Sequence, residues 1–294
     1  MNINKWLKLN TEDLSGKTVA ITGATGGLGS QLCKYLVQLN ANLILLNRSK
    51  KKTENLIQEL HNINSNIKID FIELNLEDME NVKSAVNKLK QLKFDYLIHN
   101  SGIYNVPRKV TPAGIDNIFQ VNFVAPYYIT KELLSTMREN KAKVIAVGSI
   151  AHNYSKIDEE DIEFNTRKKC NLVYGNSKRF LMFSLYELLK NEKDITLSIA
   201  HPGVTLTNIT NHYPKAINWL VKIGIKILFP SPQKATLHLL SSVYETCDYH
   251  TWIGPIIFKV WGKPKKTKLK TCTEQESKKI FEIAENYYKK LKNI

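Results

Sequence analysis

The stretch VYGNSKRFL, residues 173–181, sets Tyr174 and Lys178 four positions apart. On a helix that spacing stacks the two side chains on one face, a turn apart. An unperturbed tyrosine titrates near pH 10 and is a poor base at neutrality. An ammonium close by favours the phenolate and lowers that pKa. The pair could therefore pass a proton to or from an oxygen whose charge is changing. It could equally be an ordinary pair on a solvated helix face, because so short a pattern recurs by chance. The rest of the chain decides between the two.

A second stretch, TGATGGLG at residues 22–29, follows the short β-branched run TVAIT and opens a helical pattern. Gly23, Gly27 and Gly29 let the backbone turn tightly and approach a phosphate. A helix N-terminus behind them offers free N–H groups and the positive end of the helix dipole. That context raises the string above an ordinary turn. About twenty residues further on, a chain selecting NAD carries an acid for the ribose 2′-hydroxyl. Here no Asp or Glu occurs between Asp13 and Glu54, and NRSKKK supplies Arg48, Ser49, Lys50, Lys51 and Lys52 instead. A guanidinium suits a 2′-phosphate. NADP(H) is the expected cofactor, ahead of NAD.

These groups need a scaffold, and 294 residues with 43% hydrophobic content are enough for one sizeable core. Short apolar runs alternate with helical patterns from residue 17 onward. Strands are expected at TVAIT, NLILLN, IKIDFI, FDYLIHN, KVIAVGS, ITLSIAH and near 252–260. Helices are expected near 27–40, 51–62, 78–91, 114–138, around Tyr174 and Lys178, and near 232–246. Such alternation predicts a single α/β domain, a Rossmann-type doubly wound parallel sheet of about seven strands covered by helices on both faces. The reading gives an N-terminal extension over 1–14, the Rossmann domain over 15–260, and a basic helical tail over 261–294.

Composition narrows the setting. The four cysteines lie far apart without CxxC spacing, which argues against a disulfide framework or a zinc site and suits a reducing compartment. The first ten residues lack the apolar core of a signal peptide, and no run approaches the roughly 20 apolar residues of a spanning helix. A cytoplasmic location is expected. The net charge of +15 suggests acidic partners. Residues 259–294 alone hold eleven lysines against four glutamates. No nucleic-acid-binding signature accompanies them.

With these motifs in order, the chain resembles the short-chain dehydrogenase/reductase family over roughly residues 15–260. TGATGGLG matches its Thr-Gly-x-x-x-Gly-x-Gly turn, HNSG its Asn-Asn-Ala-Gly segment, YGNSK its Tyr-x-x-x-Lys pair, and HPGVTLT its Pro-Gly segment. QVNFVAPY supplies Asn122 and VGSIA supplies Ser149. The Arg-containing turn, the lipophilic stretch near 213–230 and the Gly-Pro-containing last strand are similar to the retinol-dehydrogenase-like branch. One departure is Asn75-Leu76 in ELNLED, where the family commonly has Asp-Leu; Asn can still bond an adenine edge.

The resemblance implies hydride transfer between a nicotinamide and a small-molecule carbonyl or alcohol, on a lipophilic substrate. Tyr174 would move the substrate proton. Lys178 would lower its pKa and bond the ribose, Ser149 would bond the substrate oxygen, and Asn122 would hold a water linking Lys178 to solvent. The cofactor would lie on Gly23, Thr25, Gly26, Gly27, Leu28 and Gly29, then Arg48 and Ser49, then Asn75 and Leu76, then Asn100, Ser101 and Gly102. Tyr174, Lys178, Pro202, Gly203, Val204 and Thr207 would hold its nicotinamide end. His99, His152 and His201, at strand ends, would line or support the cofactor edge, and no metal site is expected. Residues 212–232 fall where the family closes a substrate loop. They could be a mobile lid, a subunit-interface helix or a peripheral membrane contact. A homo-oligomer is expected, and nucleic acid is not an expected partner. Two other readings stay open: a non-catalytic dinucleotide-sensing regulator, and a nucleotide-sugar epimerase or dehydratase.

Overall fold

The computed structural model describes residues 2–203 and 230–293. Val204, Thr207 and most of the 212–232 segment lie outside the described residues.

The strands expected from short β-branched runs form where they were read. They are β1 (Thr18–Thr22), β2 (Asn42–Asn47), β3 (Ile69–Glu73), β4 (Tyr96–His99), β5 (Lys143–Val147), β6 (Thr196–Ala200) and β7 (Thr251–Ile257). Among the described residues one sheet has the order β3-β2-β1-β4-β5-β6-β7-β8, where β8 is Trp261–Lys268. Pairing is parallel from β3 through β7 and antiparallel between β7 and β8. The chain order reverses between β1 and β4, which opens a crevice at their carboxyl ends.

Alternating side chains send Val19 and Ile21 to one face and Ala20 to the other. The first face is covered by α1 (Ile3–Asn10), through its buried Trp6, by α2 (Gly27–Gln38), by α3 (Lys50–Ile63) and, after the other helices of the chain, by Pro232–Tyr244. The second is covered by α4 (Met79–Leu89), α5 (Ala125–Glu132), α6 (Leu134–Asn140), α7 (Cys170–Leu189) and the C-terminal helix. In chain order Pro232–Tyr244 is α8 and Glu274–Lys292 is α9. Burial of apolar side chains on both faces is the main force holding the layers together.

Two details depart from the sequence reading. The chain beyond residue 260 opens with β8, which makes an eighth strand, before the helix of the tail begins at Glu274. WGKPKKTK carries no apolar alternation, because β8 is an exposed edge strand with only one paired neighbour. The helix expected as one piece over 114–138 is broken into a turn at Asn117–Phe119, a π-helical Gln120–Val124, and then α5 and α6. Pro126 has no N–H to donate to the carbonyl of Asn122, so a regular ladder cannot pass this point.

Candidate active site

At the carboxyl ends of β1, β2, β3 and β4 a cleft of about 340 Å³ is lined by Gly23, Thr25, Gly26, Gly27, Leu28, Gly29, Arg48, Ser49, Asn75, Leu76, Asn100, Ser101 and Gly102. Leu46, Asn47, Lys52, Leu74, Glu77, Ile103 and Val121 complete it. Every residue of the first four expected cofactor groups is therefore on one surface.

The glycines have separate reasons. Gly23 takes φ +67°, in left-handed backbone, and a Cβ there would stand 2.6 Å from Ser101 Oγ. A Cβ on Gly29 would stand 2.3 Å from Gly23 O and 2.7 Å from Asn100 Nδ2, so only glycine lets α2 start this close to β1 and β4. Gly26 caps α2 without any side-chain bond. The first-turn amides consequently keep their donors for a ligand, as an anion site requires. The chain's own polar groups brace this floor. Thr22 Oγ1 accepts from the amides of Asn100 and Ser101 at 3.1 and 3.0 Å, and Asn100 Nδ2 donates to the carbonyls of Thr22 and Gly23, both at 3.0 Å.

Arg48 is exposed at the end of β2 and has no ion-pair partner among the described residues. Ser49 caps α3, its Oγ accepting from Lys52 N at 3.4 Å. Asn75 accepts from Glu77 N at 3.3 Å through Oδ1, which leaves its amide donor for a base edge. Glu77, an acid on the lining, is neutralised by Lys109 at 2.6 Å. Asn47 Oδ1 is buried with no partner. An unsatisfied acceptor on a concave lining is costly unless a ligand donor meets it. Residues and shape together fit a dinucleotide: amides and cations for phosphates, and an open amide for a base edge.

Beyond Gly102 the cleft meets the second group. A Cβ on Gly102 would lie 3.3 Å from Asn122 Oδ1 and 3.4 Å from Lys178 Nζ, so these side chains crowd the bare face of that glycine. Lys178 is buried, donates to Val147 O at 2.9 Å, and has its Nζ 5.8 Å from the Tyr174 ring centre. Ser149, at the end of β5, is hydrogen-bonded to Tyr174. Tyr104 packs edge-on against Tyr174, ring centres 5.1 Å apart. It was not singled out from the sequence, although it lies only two residues beyond HNSG.

One feature differs from the sequence reading. Burial pushes the Tyr174 phenol up to about 12, with the Ser149 bond opposing it, whereas the neighbouring lysine was expected to bring it down. The cause is desolvation of phenolate and ammonium alike: burial also brings Lys178 down to about 8, and its Nζ is bonded to Val147 O. The Asn122 side chain is bonded within the chain. Oδ1 accepts from Ile103 N at 2.8 Å, and Nδ2 donates to Ile103 O at 2.9 Å and Ser177 Oγ at 3.0 Å. His99, His152 and His201 are buried and are not part of the cleft lining. Pro202 is buried, and Gly203 holds φ +82° with β7 and the turn after it close behind.

The fold and the site together define a class, and comparison with known proteins agrees. Residues 17–218 match the short chain dehydrogenase family, and this chain belongs to it. It is 24% identical over 223 residues to human polyprenol dehydrogenase, covering 72% of this chain and 66% of that protein, just under two thirds of its length. It is 29% identical over 212 residues to mouse retinol dehydrogenase 12, covering 70% of this chain and 67% of that one. A short-chain dehydrogenase from Sphingobium yanoikuyae in complex with NADPH shares the fold, with a TM-score of 0.59 and 19% identity over 78% of this chain and 84% of that one.

Proposed function

We propose that this chain is an NADP(H)-dependent oxidoreductase that interconverts a carbonyl and an alcohol on a lipophilic substrate. The observation that carries the cofactor choice is Arg48, exposed on the cleft lining beside Ser49 and Lys52, with no acid at the end of β2. The relatives named for polyprenol and retinol supply the support for a lipophilic substrate.

When bound, the nicotinamide supplies or accepts the hydride. The chain's residues divide the remaining work. Tyr174, a protonated phenol at neutral pH, gives its proton to the substrate oxygen in the reductive direction. Ser149 donates to that oxygen and steadies the charge that develops on it. Lys178 returns positive charge to the site, and with its Nζ crowded against Gly102 it would bond the ribose of a bound cofactor. Asn122 holds Ile103 and, through Ser177, the backbone of Tyr174: Ser177 Oγ donates to Tyr174 O at 2.8 Å. A dinucleotide sensor would not need this full set, and a nucleotide-sugar epimerase would usually carry a different glycine spacing and a larger C-terminal domain.

The test is a titration of the protein with NADPH and NADH, for the wild type and for Arg48→Asp, beside a screen of carbonyls and alcohols. NADPH should bind tighter by roughly tenfold or more, the worth of one charge-assisted contact. Arg48→Asp should close or reverse the gap. Equal wild-type affinities would overturn the cofactor assignment, and a screen without turnover would overturn the enzymatic one.

A further inference from the structure

The β7–β8 hairpin carries a surface that the reaction does not use. Its turn places Phe258 at φ 47° and Lys259 at φ 58°, closed by Val260 N–H donating to Ile257 O at 3.0 Å. Turns with two left-handed residues ordinarily take Asn-Gly, since a bulky side chain is crowded there. Here a phenylalanine stands in that position, 82% exposed. Ile256 and Ile257 beside it are 49% and 51% exposed. Trp261 packs edge-on to Phe258, ring centres 6.5 Å apart, and keeps 39% of its own surface open. Neither turn propensity nor core packing accounts for these four large apolar side chains within six positions.

The flank is cationic. β8 is exposed along nearly its whole length and carries Lys263, Lys265, Lys266 and Lys268, with no acid between Asp248 and Glu274. Lys266 lies 3.3 Å from Asp248, while Lys263, Lys265 and Lys268 have no ion pair among the described residues. An apolar tip bordered by cations suits a bilayer interface, where the tip enters the acyl boundary and the ammonium groups meet lipid phosphates.

We propose that this hairpin docks the protein on an anionic lipid surface. Among the described residues no helix is long and apolar enough to cross a membrane. Nucleic acid would use the lysines but not the two isoleucines, which offer no ring for a base to stack on. A second copy pairing β8 with β8 about a two-fold axis would set lysines against lysines.

The hairpin also lies at a telling edge. β7 runs parallel to β6, so its carboxyl end and the following turn share the edge where Ser149 follows β5. His201 Nε2 donates to Lys259 O at 3.0 Å, and a Cβ on Gly203 would stand 2.9 Å from Val260 O. Docking therefore brings the substrate end of the sheet toward the lipid.

Flotation of the full chain with phosphatidylcholine vesicles containing phosphatidylserine, beside vesicles of phosphatidylcholine alone, tests this. Binding should require the anionic lipid and weaken as salt is raised. Phe258→Asn suits the left-handed turn, so Tm should hold or rise while vesicle affinity falls by roughly tenfold or more. Lys263→Glu with Lys265→Glu should cost about as much. The proposal is overturned if the wild type stays with the unbound fraction, binds neutral vesicles equally well, or keeps its affinity in both variants. It is also overturned if Phe258 instead supports a dimer that sediments without lipid, or if the lysines retain single-stranded RNA and not vesicles.

Discussion

Arg179 and Glu276 are joined by two parallel bonds, Nε to Oε1 at 2.8 Å and Nη2 to Oε2 at 2.7 Å. Arg179 follows Lys178 on α7 and is 1% exposed. It also donates to Thr271 O at 2.5 Å and His152 O at 3.2 Å. His152 in turn joins Thr271 to Ser149. Its Nδ1 donates to Ser149 O at 2.5 Å, and its Nε2 accepts from Thr271 Oγ1 at 2.7 Å. The segment leading into α9 is thus tied to the backbone on both sides of the Tyr174 pocket.

Glu276→Ala leaves that guanidinium buried without a counter-charge. Stability in urea should fall by ~3 kcal/mol, as for other broken buried pairs. Glu274→Ala is the control, because its pair with Lys278 at 3.0 Å is exposed on both sides and should be worth under about 1 kcal/mol. Equal losses would show that Arg179 gains nothing from its carboxylate partner.

Much of the scaffold was legible because parallel strands buried on both faces read as short apolar runs. Thr18–Thr22 and Asn42–Asn47 coincide with TVAIT and NLILLN. The cleft was legible for a related reason: ligand groups follow strands, so glycines after β1 and cations after β2 fall on one edge. What escaped depends on contacts distant in sequence. β8 is a lysine-rich edge strand whose turn, Phe258-Lys259, lacks the usual hairpin residues. Arg179 sits one place from Lys178, yet its carboxylate partner Glu276 lies 97 positions away. The direction of the Tyr174 shift follows from burial of the phenol, which the four-residue spacing to Lys178 does not encode.

Tyr174→Phe should keep the fold and the NADPH affinity and lower kcat by about a hundredfold or more, the usual worth of a general acid. The pH dependence tests the same residue. With the phenol up at about 12, it is protonated throughout the neutral range and carbonyl reduction should be nearly flat with pH. Alcohol oxidation needs the phenolate, whose fraction below the pKa grows about tenfold per pH unit, so its rate should climb from about pH 6 to about pH 8. A wild-type oxidation rate that ignores pH, or a Phe variant with undiminished turnover on the same substrate, would remove Tyr174 from the proton path.

The last prediction concerns acid stability. Burial brings His99 and His201 down to about 3 and His152 to about 4, from an ordinary value of 6.5. His99 Nδ1 and His201 Nδ1 are buried without a protein hydrogen bond of good geometry, so a second ring proton would be poorly met. Because these folded-state pKa values are depressed, the unfolded chain binds more protons below about pH 6.5, and stability must fall as pH drops through that value. Each histidine contributes a slope of up to about 1.4 kcal/mol per pH unit until its own folded pKa is reached. The carboxylates held low by their partners, such as Glu187 and Glu192, act in the same direction but only below about pH 4.5. The interval from about pH 6.5 to about pH 5 therefore belongs to the histidines. Urea unfolding across it should show a steady loss, and His201→Gln should flatten the slope by roughly a fifth, because burial also lowers His238 and His250 and five rings share the effect. A stability that stays level down to about pH 5 would mean that these rings accept protons in the folded protein.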